Sequence, residues 1–162
     1  MKSKLFIAVL CMVLGLVNMI SVVEAAEVSY YENSEDQVQI SEEEALEILS
    51  ADENGISPFA LSTTTFKISK KDSKLYVAWT IKSTTTSSTI GISSLKLQKY
   101  ENGAWITIST ASYSTSNASV YTSGFYYSSA VSGTKYRATG TAYTIDSGSK
   151  KTMTITTSEL TY

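Results

Sequence analysis

Leu75-Tyr76-Val77-Ala78-Trp79-Thr80-Ile81 is the stretch on which the fold turns. Leu75, Val77, Trp79 and Ile81 alternate with Tyr76, Ala78 and Thr80, the period of two by which a strand sends side chains to opposite faces. Upstream, Phe66 and Ile68 alternate with Lys67 and Ser69, and the polar Lys71-Asp72-Ser73 separates the two runs, so a hairpin is expected. Downstream, Leu95 and Leu97 form the next inward pair, and Asn102-Gly103 divides them from the run Trp105 to Ile108. Asn-Gly is a strong hairpin signal because both central residues of the tight turn need positive φ. Val120 to Tyr127 reads as another strand and Ser132-Gly133 as a turn. Lys135 to Ile145 reads as a long strand with Tyr136, Ala138, Gly140 and Ala142 inward. Asp146-Ser147-Gly148 then reverses the chain into a last strand, where Met153 and Ile155 alternate with Thr152, Thr154 and Thr156.

These runs predict an all-β domain over 56–162, an antiparallel two-sheet sandwich of about seven strands. The same strand count also suits a small β-barrel. No helix-period segment interrupts the strands, which argues against a parallel sheet with crossover helices.

Before this domain the character of the chain is different. Lys2 and Lys4 precede an unbroken apolar run from Leu5 to Val17, a polar break at Asn18, and small residues at Ala25 and Ala26. That order reads as a secretory signal peptide over 1–25, cleaved after Ala25 with Ala26 the next choice. The apolar run is shorter than the about 20 residues of a membrane span. No span is expected after cleavage, and the mature protein is expected to be secreted and extracellular. Cys11 leaves with the peptide, and Leu10 before it speaks against lipid attachment there. The C-terminal Thr157-Ser158-Glu159-Leu160-Thr161-Tyr162 lacks the hydrophobic tail of an anchor.

The segment 26–55 is acidic: residues 27–55 hold ten carboxylates and no Lys or Arg, a charge of −10. Ten lysines and Arg137 stand against four carboxylates in 56–162, a charge of +7. With so little apolar surface the acidic segment is expected to be largely disordered. A short helix near 42–50 is the exception. Ser41 and Glu44 make a capping-box pattern, Glu42, Glu43 and Glu44 favour the helix dipole, and Ala45, Leu46, Ile48 and Leu49 supply an apolar stripe.

Two features resemble immunoglobulin-like and fibronectin type III sandwiches. Trp79 lies mid-strand, where an indole fills the space between sheets. Val131-Ser132-Gly133-Thr134-Lys135-Tyr136 is similar to a tyrosine corner, whose buried Tyr bonds to backbone just upstream. Leu95 to Gln98, Asn102 to Trp105, Tyr136-Arg137 and Thr152 to Thr157, behind a signal peptide and an acidic stretch, resemble a group of small secreted Firmicutes proteins with no assigned function. The resemblance implies a compartment and a fold, and no reaction.

The chain has no His, and its single Cys is Cys11. Ser-His-Asp and Cys-His catalysis and ordinary zinc sites are thereby excluded from the mature chain. Asp72, Glu101, Asp146 and Glu159 are the only carboxylates after residue 55. The first three fall in expected turns, so a facing glycosidase pair is not expected. No Asp-x-Asp-x-Asp-Gly calcium loop is present. The reading is therefore of a non-enzyme without cofactor or metal.

Tyr126 and Tyr127, being adjacent, must face opposite sides of their strand. With Trp105 beside a hairpin turn and Tyr143, they form the candidate binding face, Trp105, Tyr126, Tyr127 and Tyr143; Trp79 and Tyr136 are assigned structural roles. Exposed aromatics suit sugars or a protein partner, and the lysines suit an anionic cell-surface polymer. Thr139-x-Thr141 and Thr154-x-Thr156 could also meet an ordered surface. No nucleic-acid module is recognisable. A secreted binding or adhesion module for a glycan, a cell-surface polymer or a surface protein is the favoured reading. A secreted antimicrobial or toxin-like effector with an acidic propeptide is the alternative.

Overall fold

The computed structural model describes residues 36–50, 57–59 and 61–162. The expected signal peptide, residues 26–35 and 51–55 of the acidic segment, and residues 56 and 60 lie outside the described residues. In chain order the elements are β1 (Gln37–Ile40), α1 (Glu42–Ser50), β2 (Ser57–Phe59), β3 (Leu61–Lys71), β4 (Lys74–Glu101), β5 (Ala104–Tyr127), β6 (Lys135–Asp146), β7 (Ser149–Thr156) and β8 (Leu160–Thr161).

Three two-residue turns set the hairpins. Asp72 and Ser73 (φ 47° and 57°), Asn102 and Gly103 (53° and 82°), and Ser147 and Gly148 (47° and 81°) all take positive φ, the backbone that matches the twist of paired strands. All strand pairs are antiparallel, and the eight described strands belong to one hydrogen-bonded sheet. Its order is β1-β5-β4-β3-β2, with β6 also on β4 and β7 and β8 on β6. The sheet does not close, so the barrel alternative is set aside.

The sequence pattern separates 75–81 from 95–97 and 105–108 from 120–127, whereas each pair of runs lies within one strand, β4 or β5. The intervening Ser- and Thr-rich stretches lack a reversing turn and suit extended backbone. What breaks the alternation is a change of phase. The β4 residues of the main core are odd-numbered at Leu75 to Ile81, even-numbered at Ile90 and Ile92, and odd-numbered again at Leu95 and Leu97. Both changes coincide with register shifts against β5, between Lys82 and Ser87 and between Ile92 and Leu95. Ser94, in the second, takes φ 51°.

The ribbon of β4 and β5 also folds back on itself. Trp79 pairs across the ladder with Ser123, and Tyr113 pairs with Ile92. A straight strand would put positions 79 and 92 roughly 43 Å apart at about 3.3 Å per residue. Yet the Trp79 and Tyr113 rings lie 5.1 Å apart. Trp79, Ile81, Ile90, Ile92, Leu97, Phe125, Tyr136 and Ala138 share the resulting core. At its edge Gln37 Nε2 donates to the Tyr113 hydroxyl at 2.7 Å, and Gln37 Oε1 accepts from Ser109 Oγ.

α1 lies where a short helix is expected, near 42–50, and the strand β1 before it departs from the expectation of disorder. β1 pairs with the end of β5, Ile40 opposite Gly124, and a Cβ at Gly124 would lie 2.8 Å from Ile40 Cδ1. Ile40, Ala45 and Ile48 pack on Tyr76 and Ala78 in a second core. The Ser41 hydroxyl accepts from Glu44 N at 3.2 Å as a cap, and Glu47 pairs with Lys71 at 2.7 Å. A few well-spaced apolar groups dock on a ready-made surface while Glu42, Glu43 and Glu47 stay in water. Leu46, expected in the apolar stripe, is 49% exposed. Packing thus joins β1 and α1 to β4.

Candidate ligand-binding face

The parts of β4 and β5 nearest the Asn102-Gly103 turn form, with β6 and β7, a four-stranded surface. Its outward side is set by alternation. Tyr136, Ala138, Gly140, Ala142 and Thr144 of β6 are buried, so Arg137, Thr139, Thr141 and Tyr143 point the other way. Register then brings neighbours together: Gln98 opposite Arg137 and Thr107, Tyr100 opposite Trp105, Thr139 opposite Thr156, and Thr141 opposite Thr154.

Trp105, on the border strand β5, is where the ring and cation contacts of this surface meet. The Tyr100 ring lies 5.1 Å away at an interplanar angle of 58°, and the Arg137 guanidinium carbon sits 4.3 Å above the indole. Arg137 Nε donates to Gln98 Oε1 at 2.9 Å, and Gln98 Nε2 donates to Thr107 Oγ1 at 3.3 Å. A guanidinium stacked on an aromatic ring and fixed at Nε still presents a rigid fork of donors. Beside it Thr156 Oγ1 donates to Thr139 Oγ1 at 3.1 Å, which donates to the Ile155 carbonyl at 3.1 Å. Farther along, Lys150 Nζ lies 4.5 Å from the centre of the Tyr143 ring. No carboxylate occupies the outward positions of this surface, while Lys96, Arg137 and Lys150 do. The nearest acid at the rim, Glu101, pairs with Lys99 at 3.0 Å, and that hydrogen bond raises the Lys99 pKa.

The four aromatics grouped from sequence are not one face. Trp105 and Tyr143 share the outward side, with Arg137 and Tyr143 six positions apart, roughly 20 Å along a strand. Tyr126 belongs to the other half of the ribbon, its ring 5.9 Å from Tyr76 and under Lys74 Nζ at 3.9 Å, against the α1 core. Tyr127 points the opposite way and packs on the main core; burial foremost, then the Asp36 carboxylate, raise its pKa. Trp79 is fully buried against Tyr113 and Tyr121. Tyr136 is 1% exposed and its hydroxyl accepts from Val131 N at 2.9 Å.

Sequence reasoning missed Arg137, Gln98, Tyr100 and Thr107. The signal was available in parity: a residue between two inward positions, as Arg137 is between Tyr136 and Ala138, must face out. The four carboxylates after residue 55 stay apart. Asp72 lies in the β3–β4 turn, Glu101 and Asp146 end β4 and β6, and Glu159 pairs with Lys135 at 3.8 Å. Among the described residues no three Asp, Glu, His or Cys side chains are grouped to hold a metal. Comparison with protein-family models, curated proteins and solved structures gives no match.

Proposed function

We propose that this chain is a secreted, non-enzymatic binding module whose outward β5-β4-β6-β7 surface takes an anionic cell-surface glycan or polymer. The observation that carries the proposal is the Arg137–Trp105 stack, braced by Gln98 and Thr107 on a surface free of carboxylates. A repeating anion gains from a stacked guanidinium at one end and Lys150 at the other, and sugar rings gain from aromatic edges and threonine hydroxyls between them. Export is supported by the N-terminal basic, apolar and small-residue order, and by the resemblance to small secreted Firmicutes proteins. An immunoglobulin-like sandwich reading of the folded-over sheet is supported by Trp79 between its halves and by the Val131–Tyr136 hydrogen bond.

Retention of the purified protein on an immobilised anionic wall polymer, compared with an uncharged polysaccharide, tests the proposal. Stronger retention on the anionic polymer, weakened by salt and reduced about tenfold or more by Trp105→Ala or Arg137→Ala, is expected. Equal, salt-insensitive retention of wild type and both variants defeats it.

A further inference from the structure

We infer that this surface binds its ligand at two separate stations, and that the ligand is a linear acidic polysaccharide lying along β6 and long enough to reach both. The inference rests on the reading of the outward β5-β4-β6-β7 side as a binding face, and adds the chemistry and the minimum length of what binds there.

Arg137 and Tyr143 lie on the same side of β6, six residues apart, which is roughly 20 Å of extended chain. Each belongs to a cation–ring pair completed from another strand. The Arg137 guanidinium carbon lies 4.3 Å from the centre of the Trp105 ring on β5. Lys150 of β7 places its Nζ 4.5 Å from the centre of the Tyr143 ring. β6 thus supplies the cation at one station and the ring at the other. Lys96 of β4, opposite Thr139, adds positive charge beside Arg137.

The track along β6 and β7 between the stations is neutral. Residues 138–142 of β6 and 152–156 of β7 include no charged side chain. Thr139 stands opposite Thr156 and Thr141 opposite Thr154, and Thr152, Thr154 and Thr156 are exposed. Threonine hydroxyls both donate and accept hydrogen bonds, which suits the hydroxyls of a sugar chain better than the acceptor-only oxygens of a bare phosphate chain.

The stations themselves narrow the ligand class. A cation beside an aromatic ring is complementary to a unit that carries an acid on a ring with apolar C–H groups. The acid meets the cation in a charge-assisted hydrogen bond, and the C–H groups meet the aromatic ring. An acidic sugar has both features, whereas polyphosphate has only the charge and a neutral sugar only the C–H groups. Because both stations involve β6, a chain that joins them runs along that strand. Either station alone is open to water, where an ion pair contributes little. Contact at both makes the second event intramolecular and multiplies affinity by about 10²–10⁴.

Isothermal titration calorimetry with oligogalacturonates of graded length, at about 0.15 M salt, tests the inference. Kd is expected to fall about a hundredfold or more as the oligomers pass from shorter to longer than the roughly 20 Å between stations. Lys150→Ala should abolish that step, leaving less than about a fivefold difference between short and long oligomers. Lys82→Ala, which removes the same charge from β4 outside this surface, should keep the step within about twofold. Both variants should melt as wild type does. Polyphosphates of matching length should bind about tenfold or more weakly than the long oligogalacturonates. Affinity that grows with length without a step, a step indifferent to Lys150→Ala, or polyphosphate bound as tightly as the uronate overturns the inference while leaving an anion-binding face in place. Absence of binding to every anionic chain overturns that face and the inference with it.

Discussion

The two ends of the β4–β5 ribbon have the same backbone and opposite fates on their outward sides. Near the β3–β4 turn that side shows Tyr76, Ala78, Gly124 and Tyr126, and it is roofed by β1 and α1. Near the β4–β5 turn it shows Gln98, Tyr100, Trp105 and Thr107, with Arg137 from the neighbouring strand, and no described element covers it. Ring, methyl and bare glycine backbone ask for a cover because apolar area is costly to leave in water. The polar end braces itself instead, each group holding the next. Which end a ligand can reach is thus decided by side-chain chemistry at matching positions of one pleated ribbon.

The largest expected effect joins the two ends. Trp79 is 0% exposed and touches Tyr113 across the fold-back, so Trp79→Ala should cost about 3–5 kcal/mol. Urea unfolding followed by tyrosine fluorescence and by far-ultraviolet circular dichroism should move together to lower midpoint. Separate transitions for the two probes would break the comparison, because the ends would then be independent units rather than one core. Trp79→Phe should cost less than Trp79→Ala, since it keeps most of the volume and the indole Nε1 has no hydrogen-bond acceptor among the described residues.

Much of this was legible in advance, and the rest fails for identifiable reasons. Strand alternation at Leu75 to Ile81 and Tyr136 to Ala142, and the turns at Asp72, Asn102 and Ser147, are local facts written in neighbouring residues. The continuity of β4 and β5 was hidden because two register shifts invert the inward phase, which imitates the end of one strand and the start of another. Docking of residues 37–50 was hidden because it depends on Tyr76, Ala78 and Gly124, far along the chain, while composition averages Ile40, Ala45 and Ile48 with ten carboxylates. The candidate site suffered similarly. Aromatic rings are conspicuous in sequence, but only strand register shows that Trp105 belongs with Arg137 and Gln98, and that Tyr126 belongs under α1.

The covered end predicts a pH effect of intermediate size. The Tyr76 hydroxyl is pushed up to about 12, by burial first and then by its hydrogen bond to the Glu44 carboxylate on α1. In the unfolded chain a tyrosine ionises near pH 10 (about 10). The stabilising share of this group is therefore complete below about pH 10 and is lost as pH rises toward about 12, an effect on the order of 2 kcal/mol. Tyr127, raised by burial and Asp36, acts in the same direction. Denaturation midpoints measured from pH 8 to 12 should fall less steeply in Tyr76→Phe than in wild type; parallel curves would remove the Glu44–Tyr76 contact from the account of the roof.

The open end predicts the smallest change in stability, and it makes the comparison sharpest. An exposed cation–π pair is worth about 0.5–1 kcal/mol, so a double-mutant cycle of Arg137→Ala and Trp105→Ala should give a coupling of that size in unfolding free energy. Each single variant should remain folded, because neither side chain belongs to either buried core. The coupling in binding to an anionic polymer should exceed the coupling in folding, since the ligand gains from a guanidinium already fixed by Trp105 and Gln98 rather than from two separate contacts. Equal couplings in both measurements would mean that the stack serves the fold alone, and the two ends of the ribbon would then differ in covering without differing in purpose.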